Sequence, residues 1–366
     1  MTQSPQSTVQ LLTEPALEKI RPFEAETSPD QLPPQLTVQA VDVSGQPLNN
    51  ANVHLQLLAP PTTPWFTTDF PIVEGTTLLD LQTLAPAGTV QLHQMLPIRG
   101  VYQLKVSVTP QVANTFAPFE QTLPISVSEN GVKYQNFVIL AVGLFVAGLV
   151  GGWVIGQKQS IQPGELAPQS VRLLLSGVVV IAIAALLYVN VSAELVQSHH
   201  SMAMSHPTEA PPPAPHPSQQ QADGLNVQLS GDHRAVVGEL ANFQVSVTDA
   251  KTQQPISGAK VKVKATQLEN GWLAFAHDGI TDATGRLQWQ EQFFDGAPHQ
   301  VDVEIAPQSG LSRQFRPVQV AQTLEVEGVV PPLHVRLISL GYMTGIVAIG
   351  LVLGLKLPRK HLYQPG

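Results

Sequence analysis

The stretch "VDVSGQPLNNANVHL", residues 41–55, reads as an ordinary strand, turn and strand until it is set beside "TDAKTQQPISGAKVKV", residues 248–263. Both contain Gln-Pro, an aliphatic residue, two small or polar residues, Ala, and then an alternating run. The match continues downstream. "GTVQLHQMLPIRGVYQLKV" (88–106) aligns with "GRLQWQEQFFDGAPHQVDV" (285–303), pairing Gly88 with Gly285, Gln91 with Gln288, Gly100 with Gly296, and Gln103-Leu104 with Gln300-Val301. A match sustained over two segments is the mark of an internal duplication, and it organises everything else in the chain.

Each copy reads as β. Leu36, Val38 and Ala40 alternate with polar residues, as do Val53, Leu55 and Leu57; in the second copy Phe243, Val245 and Val247 do the same, and Val261 and Val263 sit between Lys260, Lys262 and Lys264. A period of two marks half-buried strands. Turn signals ("SGQP", "APAG", "DATG", "FDGAP") separate them. Short strands at this spacing predict an immunoglobulin-like β-sandwich for each copy, the first over 30–134 and the second over 225–328, after an N-terminal tail at 1–29.

Around the two copies the composition changes. The 366-residue chain is 43% hydrophobic but only 13% charged, which points to segments that never meet water. Three uncharged apolar runs, Phe137–Ile155, Leu173–Val191 and Leu337–Leu355, are each long enough to cross a bilayer. The expected spans are 135–157, 171–193 and 335–356, followed by a basic tail at 357–366. The fold class expected is therefore mainly β plus transmembrane α: two sandwiches on a three-helix membrane anchor. Glycines recur every four residues, at Gly148, Gly152 and Gly156, at Gly341 and Gly345, and at Gly350 and Gly354. That spacing lets helices approach closely, toward one another or toward a membrane-protein partner.

Lysine and arginine collect on cytoplasmic flanks. Lys158 and Arg172 lie between the first two spans, and Lys356, Arg359 and Lys360 follow the third; the opposite flanks hold only Lys133 and Arg336. Both copies and the segment 194–224 are thus expected outside a bacterial cytoplasmic membrane, with the C-terminus inside. The N-terminal residues "MTQSPQSTVQLLTEPALEKIRPF" have neither a basic n-region nor an apolar h-region, so they do not read as the export signal this orientation calls for.

The segment 194–224 contains "SHHSMAMSHPTEAPPPAPHP" (198–217), which holds four of the chain's eleven histidines and two of its five methionines. Proline favours an extended linker. Imidazole suits Cu(II), Zn and Ni, and thioether suits Cu(I), so His199, His200, Met202, Met204 and His206, with His216 further on, form a candidate copper-binding set. The competing reading is a hinge whose histidines bind nothing. His54 faces outward on a strand beside Asn52 and Gln56, which suggests a solvated surface; His93, Met95, His233 and His277 have no spacing partner; His299 aligns with Tyr102, which suggests a packed edge residue at that position in both copies.

The second copy, with "GELANFQVSVTD", "QPISGAKVKVKA", "DATGRLQW" and "FFDGAPHQVDVEI", resembles the small bacterial extracytoplasmic sandwiches of the FixH and YtkA-like kind over about 225–320, and the first copy does so more weakly over 30–128. The resemblance implies an accessory role near copper handling or the assembly of a membrane redox complex. The alternative is a structural protein whose sandwiches dock a partner. Several classes are excluded or unsupported. Without cysteine there are no disulfides, zinc–thiolate sites or thiol catalysis, and a net charge of −8 gives no footing for nucleic acid. No nucleophile elbow, phosphate loop or HExxH is present, so an enzyme is not expected. No acid, base or histidine lies within the runs Phe137–Ile155, Leu173–Val191 and Leu337–Leu355, which argues against an ion pathway.

Overall fold

The computed structural model describes residues 7–24, 31–63, 68, 70–156, 168, 171–173, 218–308 and 314–357. The first half forms β1 (Thr8–Glu14), β2 (Gln35–Val41), β3 (Ala51–Leu58), β4 (Thr77–Ala85), β5 (Thr89–Gln94), β6 (Gly100–Pro110) and β7 (Phe119–Val127). The second forms β8 (Gln219–Ala222), β9 (Leu225–Gly231), β10 (Arg234–Val236), β11 (Leu240–Asp249), β12 (Lys260–Gln267), β13 (Leu273–Ile280), β14 (Arg286–Gln292), β15 (His299–Ala306) and β16 (Val318–Glu327). Two helices complete the described chain, α1 (Gly131–Gly156) and α2 (Leu333–Lys356). The β strands form one compact unit and the helices belong to another.

The fold is mostly β, in two sheets packed face to face. One runs β1-β2-β5-β13-β12-β15-β16-β10 and the other β7-β6-β3-β4-β14-β11-β9-β8. The first repeat contributes three strands to one sheet and four to the other, the second contributes five and four, and equivalent strands of the two repeats lie in opposite sheets. The expectation of two separate sandwiches is therefore corrected: the copies are joined edge to edge through β5–β13 and β4–β14. The registers at the two seams match. His277 faces Leu92 at one and Trp289 faces Leu81 at the other; Phe275 faces Gln94, and Leu79 faces Glu291. The seam thus has pseudo-twofold symmetry, as an isologous dimer interface would. The physical reason for joining is that β4, β5, β13 and β14 would otherwise be edge strands with unpaired backbone groups. One hydrophobic core runs through both halves, from Leu36 and Val106 to Phe243 and Ile305.

The duplicated corner is visible in the backbone. Gly88 and Gly285 both have positive φ, 66° and 71°, and their carbonyls accept from Ala40 N and Val247 N. A Cβ at either would press on backbone of the adjoining turn, so glycine is required twice at one structural position. Two boundaries also differ from the sequence reading. The expected tail contains β1, which pairs along its length with β2, and the expected linker ends in β8.

Among the described residues two helices are long and apolar enough to cross a membrane. Of the expected span 171–193, residues 171–173 are helical and the remainder lies outside the described residues. α1 and α2 pack through their glycines. Gly148, Gly152, Gly350 and Gly354 are buried, and a Cβ added to any of them would collide with backbone of the facing helix. Gly148 meets Val347 and Leu351, Gly152 meets Leu351, and Gly156 meets Leu355; in return Gly350 meets Phe145 and Leu149, and Gly354 meets Leu149 and Trp153. Residue numbers rise together on both helices, so the helices run parallel. Among the described residues nothing lies within 4 Å of a Cβ added at Gly341 or Gly345, so these two take no part in the α1–α2 contact. Large apolar side chains elsewhere on the pair, such as Phe137, Ile139, Trp153, Leu340 and Ile349, are exposed.

Candidate functional site

The six candidate copper ligands, His199, His200, Met202, Met204, His206 and His216, lie outside the described residues. Among the described residues no group of three or more His, Asp or Glu side chains is placed to hold a metal. His54, His277 and His299 have structural partners. His299 is buried at the start of β15, with Nδ1 2.8 Å from the Ala297 carbonyl and its ring 4.5 Å from that of Phe293. Its counterpart Tyr102 is also buried, accepting from Ile98 N at 2.9 Å and donating to Ile98 O at 2.7 Å. A packed polar ring at this position is thus common to both copies. Burial lowers the His299 pKa below its ordinary 6.5.

His277 sits at the seam. Nδ1 lies 2.9 Å from the Gln91 carbonyl of the first repeat, and Nε2 lies 3.2 Å from Thr83 Oγ1, also of the first repeat. Gly279 leaves room for the ring, since a Cβ there would come within 2.6 Å of His277 Nε2. Desolvation holds the imidazole neutral by lowering its pKa. Both nitrogens are engaged and sealed from solvent, so His277 ties the repeats together.

Glu291 is the polar residue that sequence reasoning missed. Its carboxylate is fully buried on the inner face of β14, and neither oxygen has a hydrogen-bond partner among the described residues. Desolvation pushes its pKa well above the ordinary 4.5, so the carboxyl is held in its neutral form. The signal was available: Leu287, Trp289, Glu291 and Phe293 alternate on one face, and the duplication aligns Glu291 with Gln94, which is likewise buried.

On the outer face of the second sheet a groove of about 450 Å³ crosses the seam, lined by Asp80, Gln82, Asn242, Gln244, Gln288 and Gln290 among others. At its border His54 Nε2 lies 2.8 Å from Asp80 Oδ1, and Gln56 Nε2 donates to Asp80 Oδ2 at 2.7 Å. This is a surface of neutral amides anchored by one carboxylate. It can hydrogen-bond a partner in many registers, but it presents no activated nucleophile.

No family model matches the chain, and no curated protein matches it. Among solved structures the chain is similar to a CARDB domain of a Pyrococcus furiosus protein in complex with di-metal ions, at 14% identity and a TM-score of 0.20, over 29% of this chain and 94% of that one. It is also similar to the Yersinia pseudotuberculosis adhesin InvE, at 12% identity and a TM-score of 0.19, over 87% of this chain and 60% of that one. A third likeness is to trypsin-activated alpha-2-macroglobulin from Escherichia coli, at 10% identity and a TM-score of 0.23, over 88% of this chain and 16% of that one. At these scores the likenesses carry no functional argument.

Proposed function

We propose that the chain is a membrane-anchored extracytoplasmic accessory protein, a double sandwich on the outer side of a bacterial cytoplasmic membrane that docks a membrane-protein partner. The observation that carries this reading is the parallel packing of α1 and α2. Only residues 128–130 separate β7 from α1, and only residues 328–332 separate β16 from α2. Two parallel helices that leave one β unit over such short connections enter a bilayer from the same side. The chain between them must then cross back, and the apolar run 173–191 is the segment suited to do so. The basic residues Lys158, Arg172, Lys356, Arg359 and Lys360 fall on the far side, which favours the β unit outside.

The absence of cysteine makes the test clean. Single substitutions Val112→Cys, Lys251→Cys, Gln162→Cys and Tyr363→Cys are labelled with a membrane-impermeant maleimide on intact spheroplasts. Positions 112 and 251 should label at once, and 162 and 363 only after permeabilisation. The reverse pattern would place the β unit inside.

A second element of the proposal is copper handling, favoured by the ligand types of 198–217 and by the FixH and YtkA-like resemblance. Cu(II) held by His199, His200, His206 and His216 should be released as the pH falls below about 6, because imidazole must lose its proton to ligate. Cu(I) held by Met202 and Met204 should resist the same acidification. Changing all six positions to Ser or Leu should abolish binding in a competition titration; unchanged affinity would leave the stretch as a hinge. The reading contains no catalytic step.

A further inference from the structure

The chain departs toward both helices from one end of the β unit. Here the segment after β1 turns through a short 3-10 helix, Leu17–Lys19, and its Phe23 packs against Trp272 and Phe294 of the second repeat, with ring centroids 4.8 and 5.9 Å apart. Asn130, the last residue before α1, donates from Nδ2 to Glu24 Oε2 at 3.2 Å, which ties this segment to the point of departure. Leu17, Leu32, Leu268, Val329 and Val330 are exposed on the loops of this end, Leu32 to 76%. Beside Leu32 lies a groove of about 450 Å³ lined by Lys19, Ile20, Arg21, Glu24 and Asn130 as well. Arg21 Nη1 is held at the groove by the carbonyls of Glu18 and Ile20, at 2.8 and 2.9 Å.

We infer that this groove binds the phosphate headgroup of an anionic phospholipid, with Lys19 and Arg21 as the cationic ligands and Leu17 and Leu32 in the acyl boundary. The inference rests on the reading that α1 and α2 cross the membrane. Under that reading the groove is tied by chain adjacency to the start of a span, because Asn130 both lines it and immediately precedes α1. The pairing of exposed leucines with two cations is the composition of an interfacial lipid contact; a site for free phosphate would have no use for the leucines. Glu24 is the one acid in the lining, and its carboxylate accepts from Asn130.

The test uses the full chain in nanodiscs of equal phosphatidylglycerol and phosphatidylcholine, with the lipids retained on extraction measured by mass spectrometry. The wild type should be enriched in phosphatidylglycerol. Lys19→Gln should reduce the enrichment about fivefold, and Lys19→Gln with Arg21→Gln should abolish it, since each cation near an anionic surface is worth about that factor. Lys251→Gln, in the turn at the other end of the sheets, should leave it unchanged, and an excess of inorganic phosphate should not displace the lipid. Unchanged lipid selection in the double variant, or ready displacement by inorganic phosphate, would overturn the inference. A chain that fails to stay in nanodiscs of phosphatidylcholine alone would remove the membrane crossing, and the inference with it.

Discussion

Glu291 and Gln94 occupy equivalent places at the two seams, yet only one of them carries an ionisable group into the core. The unfolded chain ionises such a carboxyl near 4.5, whereas the folded chain resists until a much higher pH. Stability from this position is therefore complete below 4.5 and falls as the pH rises, by about 1.4 kcal/mol per pH unit until the folded pKa is reached. Glu291→Gln, which copies the first repeat, should stabilise the protein at pH 7.5 and make no difference near pH 4. Urea unfolding followed by tryptophan fluorescence checks this, and equal midpoints at pH 7.5 would refute it. His277 and His299 act in the opposite direction. Their folded pKa values are lowered, so their stability is present above about 6.5 and is lost as the pH falls through that range, when the unfolded chain takes up protons first. The alternation around Trp289 made the burial of Glu291 legible in the sequence. What hid it was its residue type, since carboxylates are rarely buried without a partner.

At the scale of elements, the period-two runs located strands such as β2, β3, β11 and β12, because alternation reports which face of a strand is buried. It does not report which edge is paired. Nothing in "TLLDLQTLA" or "LAFAHDGI" says that β4 and β13 meet the other repeat instead of solvent, so the seam was invisible. The symmetry of the seam gives a prediction. Residues 218–328 alone would leave β13 and β14 open, and since these stand where β4 and β5 stand in the first repeat, a second copy can fill both places. The fragment should be dimeric by light scattering; a stable monomer would count against the seam. The helix glycines divide in a similar way. Their spacing announced close packing, but only the structure separates Gly152 and Gly354, which touch the facing backbone, from Gly341 and Gly345, which meet no neighbour among the described residues. Gly152→Leu should destabilise the helix pair by on the order of 1–3 kcal/mol, the usual cost of overpacking, while Gly345→Leu should be silent. Thermal melts in detergent distinguish the two.

For the whole molecule, the candidate copper ligands lie outside the described residues, whereas the helices α1 and α2 were legible because hydropathy alone marks them. Their arrangement was not, because direction in a membrane follows from packing between helices far apart in sequence. The parallel pairing of α1 and α2 is the fact on which the proposed topology rests, and with it the proposed extracytoplasmic placement of the β unit and the proposed lipid site. Its most direct test is thiol cross-linking in the native membrane with a short bifunctional reagent. Gly156→Cys and Leu355→Cys, which the structure brings together at the C-terminal ends of the two helices, should cross-link readily. Gly156→Cys and His334→Cys, at opposite ends of a parallel pair, should not. Cross-linking of 156 to 334 in place of 355 would mean that the helices run antiparallel, and the account of how this protein sits in its membrane would be contradicted.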